Sequence, residues 1–206
     1  MLARFAPILA LAWGVLGFAR AGPPAPASPP APVAAEFGQA PSSELLAVVV
    51  DERGGVTRAR GHGCLRAPVS SLYAALVDPS VLADRREVAR WTVQREGSGP
   101  SPFRVHYEVQ ALVPVTFDMR WEVTVAAGSP GAPTEVDAHG EKVAGTRYIS
   151  LLEDSVVVRR LDARTSAVEI VCRRRTAGHD ADAAIYVRDL FASLRARVHG
   201  RPLPKY

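Results

Sequence analysis

The sequence carries little net charge, almost no lysine, two cysteines and none of the motifs that mark phosphate or acyl chemistry. Its formal charge is +4 over 206 residues, too small to argue for nucleic acid or an anionic membrane as partner. Lys142 and Lys205 are the only lysines, so the basic residues are nearly all arginine. With the Ala and Pro load this reads as a coding bias and carries no function. No Gly-x-Ser-x-Gly elbow is present, which leaves covalent catalysis without support. A phosphate-cradling glycine loop and a nucleic-acid signature are missing too. His62, His106, His179 and His199 show no paired metal spacing, and His62-Gly63-Cys64 is too small a set for zinc. No metal or cofactor is therefore expected.

What is present is ordinary globular composition, 48% hydrophobic and 22% charged, of a length that suggests one domain or at most two. The first residues stand apart. Met1-Leu2-Ala3-Arg4 is a short positive start, Phe5 to Phe18 is uncharged and apolar, and Ala19-Arg20-Ala21 fits a small-x-small cleavage pattern. Residues 1–21 read as a secretory signal peptide. The apolar run falls short of the roughly 20 residues that span a bilayer; a retained anchor is the alternative. Export to the periplasm or beyond, without stable membrane insertion after cleavage, is the expectation. No Cys lies near the cleavage point, which argues against a lipid anchor. Residues 22–41 form a Pro/Ala-rich linker; its "GPPAPASPPAPVAA" favours extended polyproline II over a packed core. The ordered domain is expected over 42–206. In an exported chain, an even cysteine count permits one disulfide, Cys64 to Cys172. Two buried free thiols are the alternative.

Hydrophobic periodicity sets the elements. Leu45–Asp51 and Val56–Arg66, separated by Glu52-Arg53-Gly54-Gly55, predict a hairpin. Ala67-Pro68-Val69-Ser70 opens a helix with Leu72, Ala75 and Leu76 on one face, stopped at Asp78-Pro79. A short second helix is expected over Val81–Arg86. The period then changes to two. Glu87–Arg95, Phe103–Ala111, Thr116–Ala126 and Pro133–Val143 predict strands, and their short connections predict an antiparallel meander. Arg147–Leu152, Val156–Leu161 and Thr165–Thr176 follow, with Glu153-Asp154-Ser155 either a turn or a bulge in one long strand. His179 and Asp180 open a last helix. Its face Ala183, Val187, Leu190, Leu194 and Val198 recurs every three or four residues until Gly200 and Pro202 end it. Strands followed by one amphipathic helix predict an α+β fold.

Three stretches carry a resemblance: "CLRAPVSSLYAALVDPSVLAD" (Cys64–Asp84), "VHYEVQALVPVTFDMRWEVTV" (Val105–Val125) and "TSAVEIVCRRRTAG" (Thr165–Gly178). In these the chain, roughly from Leu45 to Val198, resembles the START/Bet v 1-like superfamily of polyketide cyclases and lipid transport proteins. The resemblance implies a helix-grip fold, a curved antiparallel sheet wrapped around a long C-terminal helix with an apolar tunnel between them. It implies that Val56–Arg66 pairs with Thr165–Thr176, which would bring Cys64 and Cys172 onto neighbouring strands. START members often carry Arg-Asp where this chain has Arg120-Trp121, so a polar ligand contact does not carry over cleanly.

On that basis an apolar small molecule, a lipid or isoprenoid-like compound, is the expected partner. Trp91, Tyr107, Val109, Phe117, Met119 and Trp121, with Tyr186 and Leu190 from the helix, are its expected lining; filling a solid core is the competing role for the same residues. No catalytic residue is assigned. A cyclase or aromatase using the same cavity would need inward acids and bases, whereas the alternation points His106, Asp118 and Glu122 outward. A protein-docking module is the third possibility. Asp137, His139 and Glu141 share one strand face and read as its wet side. In Arg173-Arg174-Arg175 the middle arginine faces opposite to its neighbours.

Overall fold

The computed structural model describes residues 44–83, 88–109, 115–176 and 182–205. The expected leader and linker, the helix-opening pair His179-Asp180, and the strand ends at Glu87 and at Gln110-Ala111 lie outside those residues. In chain order the elements are β1 (Leu46–Arg53), β2 (Val56–Leu65), α1 (Val69–Leu76), α2 (Pro79–Leu82), β3 (Val88–Arg95), β4 (Phe103–Val109), β5 (Val115–Ser129), β6 (Ala132–Gly145), β7 (Ile149–Arg160), β8 (Ser166–Thr176) and α3 (Asp182–Val198).

All eight strands form one antiparallel sheet, ordered β1-β2-β8-β7-β6-β5-β4-β3. A continuous meander runs from β3 to β8, and the β1–β2 hairpin joins its far edge through β2 against β8. Register shifts between Asp118 and Met119 and between Val125 and Gly128 interrupt the β5–β6 ladder. Such bulges bend a strand and sharpen its twist. The sheet curls, and its concave side takes the helices.

Local chemistry explains the helix boundaries. Pro68 sits at the N-cap of α1 in extended geometry, φ −67° and ψ 154°. Val69, Leu72, Ala75 and Leu76 are the buried face of α1. Asp78 ends this run and begins the next, because its carboxylate accepts from Ser80 N at 3.0 Å and from Ser80 Oγ at 2.6 Å. Pro79 then suits the first turn, so α2 starts two residues earlier than Val81. The Glu153-Asp154-Ser155 stretch resolves as uninterrupted β7.

In α3, Ala183, Val187, Leu190 and Leu194 are buried as the spacing predicts, and Val198 is packed at the margin of the core. The helix lies against β1, β2, β8, α1 and α2. Gly200, at φ 64°, closes it: Gly200 N donates to Arg197 O at 3.1 Å and Arg201 N to Ala196 O at 2.8 Å, the double closure of a glycine-terminated helix. No helix among the described residues is long and apolar enough to cross a membrane.

The expected disulfide does not form; both cysteines are buried free thiols. The strands pair as anticipated, but the register separates the residues. Cys64 lies opposite Ala167, and Cys172 opposite Ala59. Five positions of offset correspond to about 17 Å along a strand, and an odd offset puts the side chains on opposite faces. A bridge needs Cα atoms within roughly 7 Å.

Candidate functional site

Strand parity places one set of side chains on the concave side. Trp91 lies opposite Tyr107 across β3–β4, and Tyr107 opposite Phe117 across β4–β5. The Tyr107 and Phe117 rings stack with centroids 4.8 Å apart and planes 20° from parallel, a favourable aromatic geometry. Met119 follows in the next row, between Val105 and Lys142. Trp121 follows again, between Phe103 and Gly140. Of the expected lining, Tyr107, Phe117, Met119, Trp121, Tyr186 and Leu190 are buried. Trp91 and Val109 are partly buried against the same core. The structure gathers these residues into two groups. The aromatic wall belongs to β3–β5, whereas Tyr186 and Leu190 ride on α3 over the β1-β2-β8 half of the sheet.

Between those groups runs a polar belt that hydrophobic patterning did not reveal. Asp154 of β7 lies opposite Cys172 of β8, and Arg174, one row on, lies opposite Thr57 of β2. Arg174 Nε donates to Cys172 Sγ at 3.0 Å. Its guanidinium carbon stands 4.7 Å from the centre of the Tyr186 ring, within cation–π range. Burial pushes the Cys172 thiol well above its usual range, the Asp154 carboxylate beside it adds to the rise, and Arg174 opposes both. The thiol therefore stays protonated and donates to Asp154. Asp154 itself is only 4% exposed. Lys142 sits at the margin, where its Nζ donates to the carbonyls of Thr146 at 3.0 Å and Ile149 at 2.8 Å. The one sequence signal for this belt was the alternation in Arg173-Arg174-Arg175, which turns Arg174 inward.

Two buried polar atoms on the concave side have no hydrogen-bond partner among the described residues: Trp121 Nε1 and Thr57 Oγ1. Leaving such a group dry costs about 1–3 kcal/mol.

No protein-family model and no curated protein matches the sequence. Solved structures do. The lipid transfer and protein localization domain of human StarD13 is similar at TM-score 0.53 and 12% identity, covering 81% of this chain and 90% of that one. Human StAR-related lipid transfer protein 5 is similar at TM-score 0.51 and 10% identity, covering 74% and 86%. A protein of Thermus thermophilus is similar at TM-score 0.52 and 14% identity, covering 69% and 97%. The chain has the START-like helix-grip fold. At these identities the likeness is one of architecture.

On the convex side of this START-like sheet lie the titratable groups that an enzyme would need within. His106 Nδ1 meets Asp118 Oδ1 at 2.6 Å. Glu96 bridges Arg104 and Arg120, each at 2.9 Å, and the hydrogen bond from Arg120 leads the effects that hold its carboxyl below the usual range. Arg120 is thus committed outward, and its Trp121 neighbour inward. Asp137, His139 and Glu141 also face out, and no group of three or more potential metal ligands occurs among the described residues.

Asp137 is the uncomfortable member of that outer face. Burial raises its pKa, the neighbouring Glu135 adds to the rise, and Arg159 only partly offsets it. Its Oδ1 is buried without a partner. A raised carboxyl costs stability at pH values above its folded pKa, and nothing below the unfolded value near 3.9. Asp137→Asn should therefore raise the melting temperature at pH 7 by about 2–4 °C, the shift that ~1 kcal/mol gives a chain of this size. At pH 3 the gain should vanish. Equal melts of the two proteins at pH 7 would refute it.

Proposed function

We propose that this chain binds one apolar small molecule, a lipid or isoprenoid-like compound, between the aromatic wall of β3–β5 and α3, and holds it without chemistry. The observation that carries the reading is the Trp121 indole N–H, buried on an aromatic face with no protein acceptor among the described residues. Within a mostly apolar pocket, a few placed polar groups are what fix a ligand's orientation. The fold agrees, since two of the similar structures are described as lipid transfer domains. The packing of α3 agrees too, because its neighbours are β1, β2 and β8 and the aromatic wall stands at the other side of the sheet.

Magnitudes permit it. Burying about 300 Å² of apolar ligand surface yields roughly 7 kcal/mol before the costs of association. That is enough for a micromolar carrier. We further propose that residues 1–21 direct export, with the carrier acting in the periplasm or outside the cell. One observation favours a catalytic reading, the inward Asp154 carboxylate; its contact with a protonated thiol and an arginine leaves the carrier as the better account.

Native mass spectrometry of the purified protein tests the proposal. A bound species of a few hundred daltons, released on denaturation, is expected. No such species, together with no uptake of long-chain apolar probes, would sink it.

A further inference from the structure

The proposed ligand has a definable polar end, and the ordering of rows on the concave sheet says which. Trp121, Gly140, Asp154 and Cys172 form one lateral row across β5, β6, β7 and β8. Gly140 has no side chain, and the indole leans over it: a methyl group added there would stand 2.7 Å from Trp121 Cε2 and Cζ2. The ring therefore tilts toward β7. Its Nε1, bonded to Cε2, lies on the near side of a gap whose far side carries Asp154. Neighbouring strands are about 4.8 Å apart, so one glycine-width separates a buried donor from a buried acceptor.

Resting on the carrier reading above, we infer that Trp121 and Asp154 form a subsite for a hydroxyl group, so that the ligand is an apolar alcohol bound head inward. A hydroxyl both accepts and donates, so it alone can take the indole proton while giving its own to the carboxylate. An ester or ketone could accept from Trp121 but would have nothing to offer Asp154. A carboxylate or phosphate would set a second negative charge beside Asp154. Arg174 does not relieve that conflict, because it stands beyond Cys172, over Tyr186. The apolar body then runs past Met119 to Phe117, Tyr107 and Trp91. Trp121 to Phe117 is four residues, or about 13 Å of strand. The opposite direction is closed: Val123, Ala138, Val156 and Ile170 are buried there, and α1 packs on β6 and β7.

The test compares 1-dodecanol, methyl dodecanoate and dodecanoate as probes of wild-type protein, W121F and D154N, by isothermal titration. Circular dichroism melts first establish that both variants fold. Wild type should bind the alcohol about tenfold more tightly than either of the others, the value of one good hydrogen bond in a dry site. W121F should reduce that preference to less than about threefold while keeping the aromatic surface. D154N should improve dodecanoate relative to the alcohol. Equal binding of all three probes by wild type, or an alcohol preference unchanged in W121F, overturns the subsite and leaves the carrier reading standing. So does an ordered water bridging Trp121 and Asp154 that persists in a dodecanol complex. Binding of none of the probes overturns the carrier reading, and the subsite falls with it.

Discussion

Replacing Gly63 with valine should lower the stability of this protein by about 3 kcal/mol, and its melting temperature by about 6–12 °C. By intrinsic preference the change looks favourable, since valine suits a strand better than glycine. Tertiary packing reverses the sign. A Cβ at Gly63 would lie 2.6 Å from the Leu45 carbonyl oxygen and 2.9 Å from Phe191 Cε2. The first is backbone at the start of the neighbouring strand and cannot rotate away. Two residues along, a Cβ at Gly61 would come within 2.5 Å of Val187 Cγ1. Strand β2 thus meets α3 with bare backbone, and that close approach seats the helix in the sheet. Gly131, in the β5–β6 turn, supplies the control, because a Cβ added there would meet nothing within 4 Å. Gly131→Ala should melt within about a degree of wild type. A Gly63→Val protein melting within about 2 °C of wild type would show that α3 is not held this way.

Those same glycines explain where the sequence became opaque. Phe103, Val105 and Tyr107, or Phe117, Met119 and Trp121, declare their inner face because large apolar groups alternate with charged ones. In β2 the inner face is Ala59, Gly61 and Gly63, which carry too little apolar volume to mark a side. Register is weakly specified by pattern in such strands. Pairing β2 with β8 was legible from topology; the offset that parts Cys64 from Cys172 was not. Asp154 was hidden for a different reason. Between Glu153 and Ser155 it looks like turn chemistry, and its partners, Cys172 and Arg174, come from another strand. Only the assembled sheet shows that a carboxylate in the middle of β7 has a thiol across from it and an arginine one row on. The helix face of α3 and the outward course of His106, Asp118 and Glu122 were legible because both depend on local periodicity alone.

Arg174→Met tests that concealed belt, and it should cost about 2–3 kcal/mol in urea denaturation at pH 7. Methionine keeps much of the aliphatic volume, so the loss reports charge and hydrogen bonding more than packing. Two contacts disappear with the guanidinium: the 3.0 Å bond to Cys172 Sγ and the stacking 4.7 Å above Tyr186. More important is what remains. Asp154 keeps its place among buried residues with its thiol neighbour no longer polarised by a cation, and removing one member of a buried charged set penalises those left behind. The penalty therefore belongs to the pair, and a double-mutant cycle should expose it. Asp154→Leu alone should also destabilise, by leaving Arg174 facing an apolar group. The double variant Arg174→Met with Asp154→Leu should be more stable than the sum of the singles predicts by about 1–3 kcal/mol, the coupling seen between groups in one buried network. Apolar replacement of a whole charged set is often tolerated where removal of half of it is not. Additivity within about 0.5 kcal/mol would mean that Arg174 and Asp154 act independently. The belt would then be two separate features that merely share a stretch of sheet, and the donation from Cys172 to Asp154 would need no cation behind it.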